Sequence, residues 1–415
     1  MKIHENAFEI IQESIKRVLP DEAVRRALEG RTFPGRVMII AIGKAAWNMA
    51  KAAQEILGER LTGGVVITKY GHGKGPIKDL EIIEAGHPIV DHNAVRGTEM
   101  VLQITRDLGK DDHVVFLVSG GGSALFEKPM EGVELEDIMD ITDQLLRSGA
   151  DIVEINTLRK HLSQVKGGKF AQHLKNTNIY SIVLSDVLGD PLDAIASGLA
   201  YRDSSTSAEA LEIIARYQLQ VEPHILEVLN IETPKEIENC ETVIAGSVTE
   251  LCRAALEVSQ QMGYTPYLLS STVDGEAREV GRFFSAMARE IAKGNSSFKP
   301  PCAIIAGGET VVRIKGSGKG GRNQELALSC AQGIEGLENT LFFSLGSDGT
   351  DGPTDAAGGI VDGDTAGHLR ETGVPLEIYL DNNDSYHALS ETGGLIMTGS
   401  TGTNVNDLMV LLVNE

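Results

Sequence analysis

Cysteine is scarce in this 415-residue chain: Cys240, Cys252, Cys302 and Cys330 are its four, and no two form a C-x-x-C pair. A chain of this length buries enough surface to stand without covalent staples, so the four read as reduced core thiols. Long apolar runs are missing as well. No segment approaches the ~20 apolar residues that span a bilayer. The opening MKIHENAFEIIQESIKRVLP carries acids throughout, with Phe8, Ile11, Ile15 and Val18 at helical spacing, unlike a signal peptide. The expected location is the cytoplasm, with no membrane partner. Positive charge is short too: 37 Lys and Arg face 59 Asp and Glu, a net charge of −22. Nucleic acid would have to overcome that field and is not an expected partner. A small phosphate ligand is still admissible, since backbone N–H groups, a few Lys or Arg and a bound cation can reverse the potential locally.

Two motif sets are also absent. The pattern G-x-x-x-x-G-K-[ST] occurs nowhere, which removes an ordinary P-loop as the basis for nucleotide chemistry, and the protein-kinase set is missing. His87 and His92 stand five apart in GHPIVDH, the wrong offset for a helical metal pair, so zinc is not expected.

What is present is an ordinary globular composition, 42% hydrophobic and 23% charged, with 46 Gly and 13 Pro. The length exceeds one usual core, and two domains are expected. Short apolar runs alternate with amphipathic ones in the first half: RVMIIAIG, AAWNMAKAAQEIL, GGVVITKY, EIIEAG, HVVFLVSG and SIVLSD. That alternation predicts an α/β fold with a parallel sheet flanked by helices. From about 204 to 238 the text turns helical and charged, with Pro223 and Pro234 as breaks, and the boundary is placed near 236. The domains are then 1–236 and 237–415. The second begins with ETVIAGS and continues through PYLLSS, CAIIAGGETVVRIKG, RNQELALSCAQGI, LFFSLGSDG and LMVLLV. Val311, Arg313 and Lys315 alternate as in a half-exposed strand, which predicts a mixed sheet there.

Four loops follow apolar strands, at the carboxyl edge where open α/β sheets bind ligands. Gly43-Lys44 sets a lysine at a helix N-terminus, either a point charge for phosphate or carboxylate or a solvated first-turn residue. Ser119-Gly120-Gly121-Gly122-Ser123 lets backbone N–H groups converge on an oxyanion, beyond what a tight turn requires. Ser185-Asp186 leads through Gly189-Asp190 to Ser197-Gly198; its carboxylates either orient a hydroxyl and hold Mg²⁺ or act as N-caps. In KGSGKGGRNQELAL, Gly316, Gly318 and Gly321 satisfy G-x-G-x-x-G, with Gly320 beside them and Arg322 following as a fork for a phosphoryl group. Asp348, Asp351 and Asp355 in SDGTDGPTDAAGG, and Thr401, Thr403 and Asn404 in TGSTGTNVNDL, read equally as ligands or polar turns. Lys160, His161, Lys166 and Lys169 form a basic cluster that either lines a cleft or faces solvent.

Taken in order, AIGKAA, EAGHP, SGGGSAL, TLRKHLSQVKGGK, SDVLGDP with ASG, GGETVV with GKGGRNQELAL, GTDGPTDAAGG and TGTNVNDL resemble the MOFRL-family glycerate kinases across nearly the whole chain. The resemblance implies a Rossmann-like N-terminal domain, a smaller C-terminal α/β domain and an active site in the cleft between them. It implies D-glycerate and ATP as substrates, 2-phosphoglycerate as product, and a divalent cation. Lys44 and Arg322 fall where the family's motifs place catalysis. Ser119 to Ser123, Asp186, Gly318, Gly320, Gly321, Asn323, Thr403 and Asn404 are expected to hold substrate or phosphate, and Asp190 and Asp348 to meet Mg²⁺. Leu199 and Ser400 depart from the family's usual S-G-P and T-G-P-T-G, which affects loop stiffness. The alternatives are a hydroxypyruvate reductase using a nicotinamide cofactor, which the G-x-G-x-x-G match favours, and a non-catalytic nucleotide or metabolite sensor. Oligomeric state is open, a homodimer included.

Overall fold

The computed structural model describes residues 2–415. The chain divides into two compact units, 20–245 and a second made of the first 19 residues with 246–415. The expected break at 236 moves for a physical reason. ETVIAGS does not open a second sheet; it is the sixth strand of the first, hydrogen-bonded beside SIVL. The N-terminal helix Lys2–Arg17 leaves the first unit, its His4 ring lying 3.0 Å from the Asp362 carboxylate.

Unit 20–245 is built on strands β1 Val37–Ile42, β2 Leu61–Lys69, β3 Glu81–Ala85, β4 His113–Val118, β5 Asn178–Leu184 and β6 Cys240–Gly246. Their order is β3-β2-β1-β4-β5-β6. The pairings β3–β2, β2–β1, β1–β4 and β4–β5 are parallel. β1, β4 and β5 are buried along nearly their whole length, which is why they read as unbroken apolar runs rather than alternating ones. The chain winds outward from β1 to β3, then returns and winds the other way from β4. The reversal leaves β1 and β4 as neighbours, the switch point at whose carboxyl edge doubly wound sheets bind ligands.

The crossovers after β4 and β5 are long, and their helices share a core. Ile138, Ile141 and Leu145 of one crossover and Leu158 and Leu162 further along it pack with Ile213, Ile225 and Leu229 of the other. This is why the charged helical text from 204 to 238 is not a linker. Asp151 and Glu154, and Thr206 and Glu209, form reciprocal capping boxes that start two of these helices. Pro223, read as a break, is the first residue of the helix Pro223–Leu229, where its missing N–H costs nothing.

The second unit carries β7 Thr265–Val273, β8 Cys302–Gly308, β9 Thr340–Gly346, β10 Gly358–Asp362, β11 Leu395–Ile396 and β12 Asp407–Val413, in the order β11-β10-β9-β12-β8-β7. β12 lies antiparallel to both β8 and β9, and β7 is parallel to β8. The sheet is mixed as expected, but not because of VVRIKG. β8 stops at Gly308, and residues 309–321 run without regular structure apart from a bridge of Val311 to Glu276. The alternation at Val311, Arg313 and Lys315 is that of an exposed loop, with Ile314 79% exposed. Among the described residues no helix is long and apolar enough to cross a membrane. The four thiols are free and mostly buried.

Candidate active site

At the switch point of the first sheet the loops after β1 and β4 are laced together. Gly43 has φ +112°, and a side chain there would overlap Ser119, so only glycine turns the chain at this point. Lys44 N–H donates to Gly120 O (2.9 Å), Ala45 N–H to Ser119 Oγ (3.1 Å), and Ser119 Oγ to Ile42 O (3.2 Å). Ser119 is therefore buried with its hydroxyl committed, which corrects its assignment as a ligand: it ties one loop to the other.

Three polar side chains gather on the glycines that follow. The Asp186 carboxylate, arriving from the end of β5, lies where a Cβ of Gly120 would be, with Lys44 Cε 3.5 Å from the same point. Gly121 has φ +87°, and its absent Cβ would sit 2.9 Å from His87 Nε2 and 3.4 Å from Lys44 Cγ. Among the described residues, Lys44 Nζ, the Asp186 carboxylate and the His87 ring have no hydrogen-bond partner, and neither do the N–H groups of Gly120, Gly121 and Ser123. Gly122 N–H is used, donating to Ser119 O at 3.3 Å. The result is a cradle of free N–H donors with a cation, a carboxylate and an imidazole at its rim. Burial, then the charges of Lys44 and Lys69, hold the His87 pKa below the ordinary histidine value, so the ring is neutral at neutral pH. In the sequence His87 stands out only as half of an unsuitable metal pair with His92. Its signal was its place directly after β3, at the same sheet edge.

Ser123 turns its hydroxyl the other way, 2.8 Å from Ser197 Oγ, which donates to Asn156 Oδ1 at 3.2 Å. Asp190 and Ser197 both hold left-handed backbone, with φ +53° and +60°, conformations that non-glycine residues keep only when their surroundings impose them. Asp190 Oδ1 is buried without a hydrogen-bond partner.

The basic cluster is neither cleft lining nor solvated face. Lys160 pairs with Asp203 at 2.9 Å and Lys166 with Glu127 at 2.8 Å, all four side chains buried. Lys169 donates to the carbonyls of Ser163, Lys160 and His161. Burial pushes the Lys166 and Lys169 ammonium groups each down to about 8.

In the second unit Arg322 opens the helix Arg322–Ile334 and is gripped from behind. Its Nε and Nη2 donate to the two oxygens of Asp407 (2.6 and 3.0 Å), and Nη1 lies 3.3 Å from Glu309. Burial opposes its charge, but the Asp407 carboxylate more than offsets this and raises the guanidinium's pKa. Burial pushes Asp407 itself up to about 6 against the pull of Arg322. The glycine loop before it is not a cradle along its length. The N–H groups of Lys315, Gly316, Ser317, Gly318 and Lys319 donate to Asn382, Asn383 and Asp384. Gly318 therefore has no donor left for phosphate; it is small because it packs on Asp384. Only Gly320, Gly321 and Arg322 keep N–H groups without acceptors among the described residues.

Four other expected ligands are occupied or peripheral. Asn323 is buried, accepting from Ser344 Oγ at 2.5 Å and donating to Asp351. Thr403 Oγ1 donates to Val18 O at 2.8 Å, fastening the end of the N-terminal helix. Asn404 is exposed and accepts only a long bond from Asn406 N–H. Asp348 Oδ1 accepts from Thr350 N–H at 2.9 Å and is partly exposed. Among the described residues no group of three or more His, Cys, Asp or Glu could hold a metal by itself.

Comparison with known proteins gives the chain's family. Residues 6–230 match the family described as a domain of unknown function, DUF4147, and residues 302–407 match the MOFRL family. The chain is 51% identical to a D-glycerate 2-kinase of Thermotoga maritima, over 98% of this chain and 97% of that one. It is 44% identical to a glycerate 2-kinase of Pyrococcus horikoshii, over 100% and 98%. A crystal structure of a glycerate kinase from Thermotoga maritima superposes with a TM-score of 0.95 at 50% identity, covering 99% of each chain. The chain belongs to the family of these glycerate 2-kinases, which joins a DUF4147 domain to a MOFRL domain.

Proposed function

We propose that this protein transfers the γ-phosphoryl group of ATP to the 2-hydroxyl of D-glycerate. The observation that carries the reading is the switch-point cradle, where free N–H groups, an unpaired Lys44 and an unpaired Asp186 share two adjacent glycines, in a chain half identical to a D-glycerate 2-kinase. The 2-hydroxyl oxygen attacks the γ-phosphorus, the bond to the bridging oxygen breaks, and ADP leaves. Asp186 stands at the rim to take the hydroxyl proton, although a loose transition state needs little base assistance. Lys44 and the cradle N–H groups stabilise charge on the transferring oxygens, and Arg322, its fork held in place by Asp407, is the second proposed catalytic cation.

A divalent cation fits this donor set. Mg²⁺ is commonly held by one or two carboxylates together with substrate phosphates, so the lack of a complete protein cage is the expected arrangement. Asp190, with an orphaned buried oxygen, and Asp348 are the proposed contacts. The cation supplies neutralisation of phosphate charge in a chain of net −22. The reductase alternative loses its main support, since most donors of the G-x-G-x-x-G loop are spent on residues 382–384. The test is ADP formation in a coupled assay. D-glycerate-dependent turnover that stops in excess chelator is expected; consumption of reduced nicotinamide with hydroxypyruvate and no ADP would overturn the reading.

The Asp407–Arg322 pair gives a pH prediction. Asp407 is ionised above about pH 6 and holds Arg322; below it the carboxylate is neutral, its grip on the still-charged guanidinium weakens, and kcat falls. Because the folded pKa lies above the unfolded ~3.9, Asp407's contribution to stability is full at low pH and is lost as pH rises through 6. From pH 6 to 4, activity should fall while this residue's share of stability grows. Asp407→Asn should lose both limbs; a wild-type profile in that variant would remove Asp407 from the account.

A further inference from the structure

The helix Ile152–Leu162 carries one cation that the buried ion pairs do not use. Arg159 Nη2 donates to Ser123 O at 3.0 Å, its single hydrogen bond among the described residues, and no carboxylate lies within ion-pair distance. Most of the fork's donors are therefore unspent. Its surroundings are also short of negative charge. Glu127 faces Lys166, Lys169 and Arg159, while Asp203 is taken by Lys160. Arg159 is only partly exposed. Burial lowers its pKa, with Glu127 too weak a compensation, so the site favours an added anion.

Beside Arg159, one turn back on the same helix, stands Asn156, and Asn156, Ser197 and Ser123 form a chain of hydroxyl and amide groups leading to the Gly-rich loop. We propose that Arg159, with Asn156 and Ser197 beside it, is the subsite for the carboxylate of the acceptor, and so selects a 2-hydroxy acid over a neutral polyol. The proposal rests on the glycerate reading above. A planar fork matches the two oxygens of a carboxylate, whereas Lys44 at the cradle is a point charge suited to the transferring phosphoryl group. Ser197 is fully buried with its hydroxyl committed to Asn156 and Ser123, so it positions those two groups beside the fork. Ser197's left-handed backbone is held against Gly167 N–H, which donates to its carbonyl at 3.0 Å, so the hydroxyl has a fixed position.

The test combines binding and kinetics on wild type, Arg159→Lys and Arg159→Ala, with thermal melts to establish that each is folded. Calorimetric titration with D-glycerate alone should show the site in wild type and its loss in Arg159→Ala. In turnover, the KM for D-glycerate should rise by about 10²-fold in Arg159→Ala, the loss typical of truncating one partner of an enclosed charge pair. The KM for ATP should stay within about threefold, and preference for D-glycerate over glyceraldehyde should collapse. Arg159→Lys, if folded where Arg159→Ala is not, should restore binding only in part, and added guanidinium should rescue Arg159→Ala. A raised KM for ATP with D-glycerate binding intact would assign Arg159 to the nucleotide and overturn the proposal. Wild-type protein that binds D-glycerate through Arg159 but forms no ADP would instead overturn the reaction and leave the carboxylate subsite standing. Wild-type protein that binds no D-glycerate overturns both.

Discussion

Lys44→Ala and Arg322→Ala should each lower kcat by roughly 10³-fold, about 4 kcal/mol of transition-state stabilisation, while leaving the fold intact. Lys44 makes no side-chain hydrogen bond among the described residues, so its loss removes no structural bond. The case of Arg322 is different, because removing it leaves Asp407 buried and unpaired. Asp407 then protonates more readily instead of unfolding the unit, since burial already pushes it up to about 6. If both cations act on the same phosphoryl group, the double variant loses much less than the product of the single losses. Arg322→Lys should be nearly as poor as Arg322→Ala: an ammonium cannot reproduce the bidentate bond to Asp407 while also facing substrate. Steady-state kinetics on the four variants, with circular dichroism melts, decide the matter. Single variants within about threefold of wild type would make both residues ordinary cations.

The largest stability effect is expected away from the cradle. Lys166 and Glu127 are each fully enclosed, 2.8 Å apart, with Lys166 also donating to Phe126 O. Removing one partner strands the other charge, so Lys166→Ala should cost about 3–5 kcal/mol in urea unfolding of this unit. Replacing both, Lys166→Met with Glu127→Leu, should recover most of that loss, because well-packed apolar side chains of similar volume often match a buried pair. The pair also has a pH signature. The folded pKa of Lys166, about 8, lies below the unfolded ~10.4. Between those values the unfolded chain holds a proton that the folded one does not, so stability rises with pH across that window and this contribution is lost as pH falls through 8. Lys169 adds in the same direction. A single Lys166→Ala variant as stable as wild type would show the pair to be dispensable.

The parts of this structure that could be read from the sequence are those encoded locally. Apolar runs ending in glycine announce strands that stop at a ligand edge, and Lys44, the Ser119 to Ser123 loop and Asp186 do meet at one such edge. What could not be read depends on partners far along the chain. Lys160 and Lys166 look like solvent-facing charges until Asp203 and Glu127, some forty residues away, are brought against them. Gly318 looks like part of a phosphate cradle until Asn382 and Asp384 take the donors of its loop. The same limit hid the division of the chain, since neither β6 nor the N-terminal helix carries a local mark of which sheet it joins. His87 and Arg159 each lie in an otherwise ordinary segment and gain meaning only from their neighbours in space.

The central claim is the identity of the product, and phosphorus NMR of the reaction of D-glycerate with MgATP tests it most directly. A single new phosphomonoester assigned to 2-phosphoglycerate is expected, appearing with ADP and absent when chelator is in excess. A resonance assigned only to 3-phosphoglycerate would contradict the proposed placement of the 2-hydroxyl at the cradle, and ADP with inorganic phosphate alone would contradict transfer to glycerate altogether.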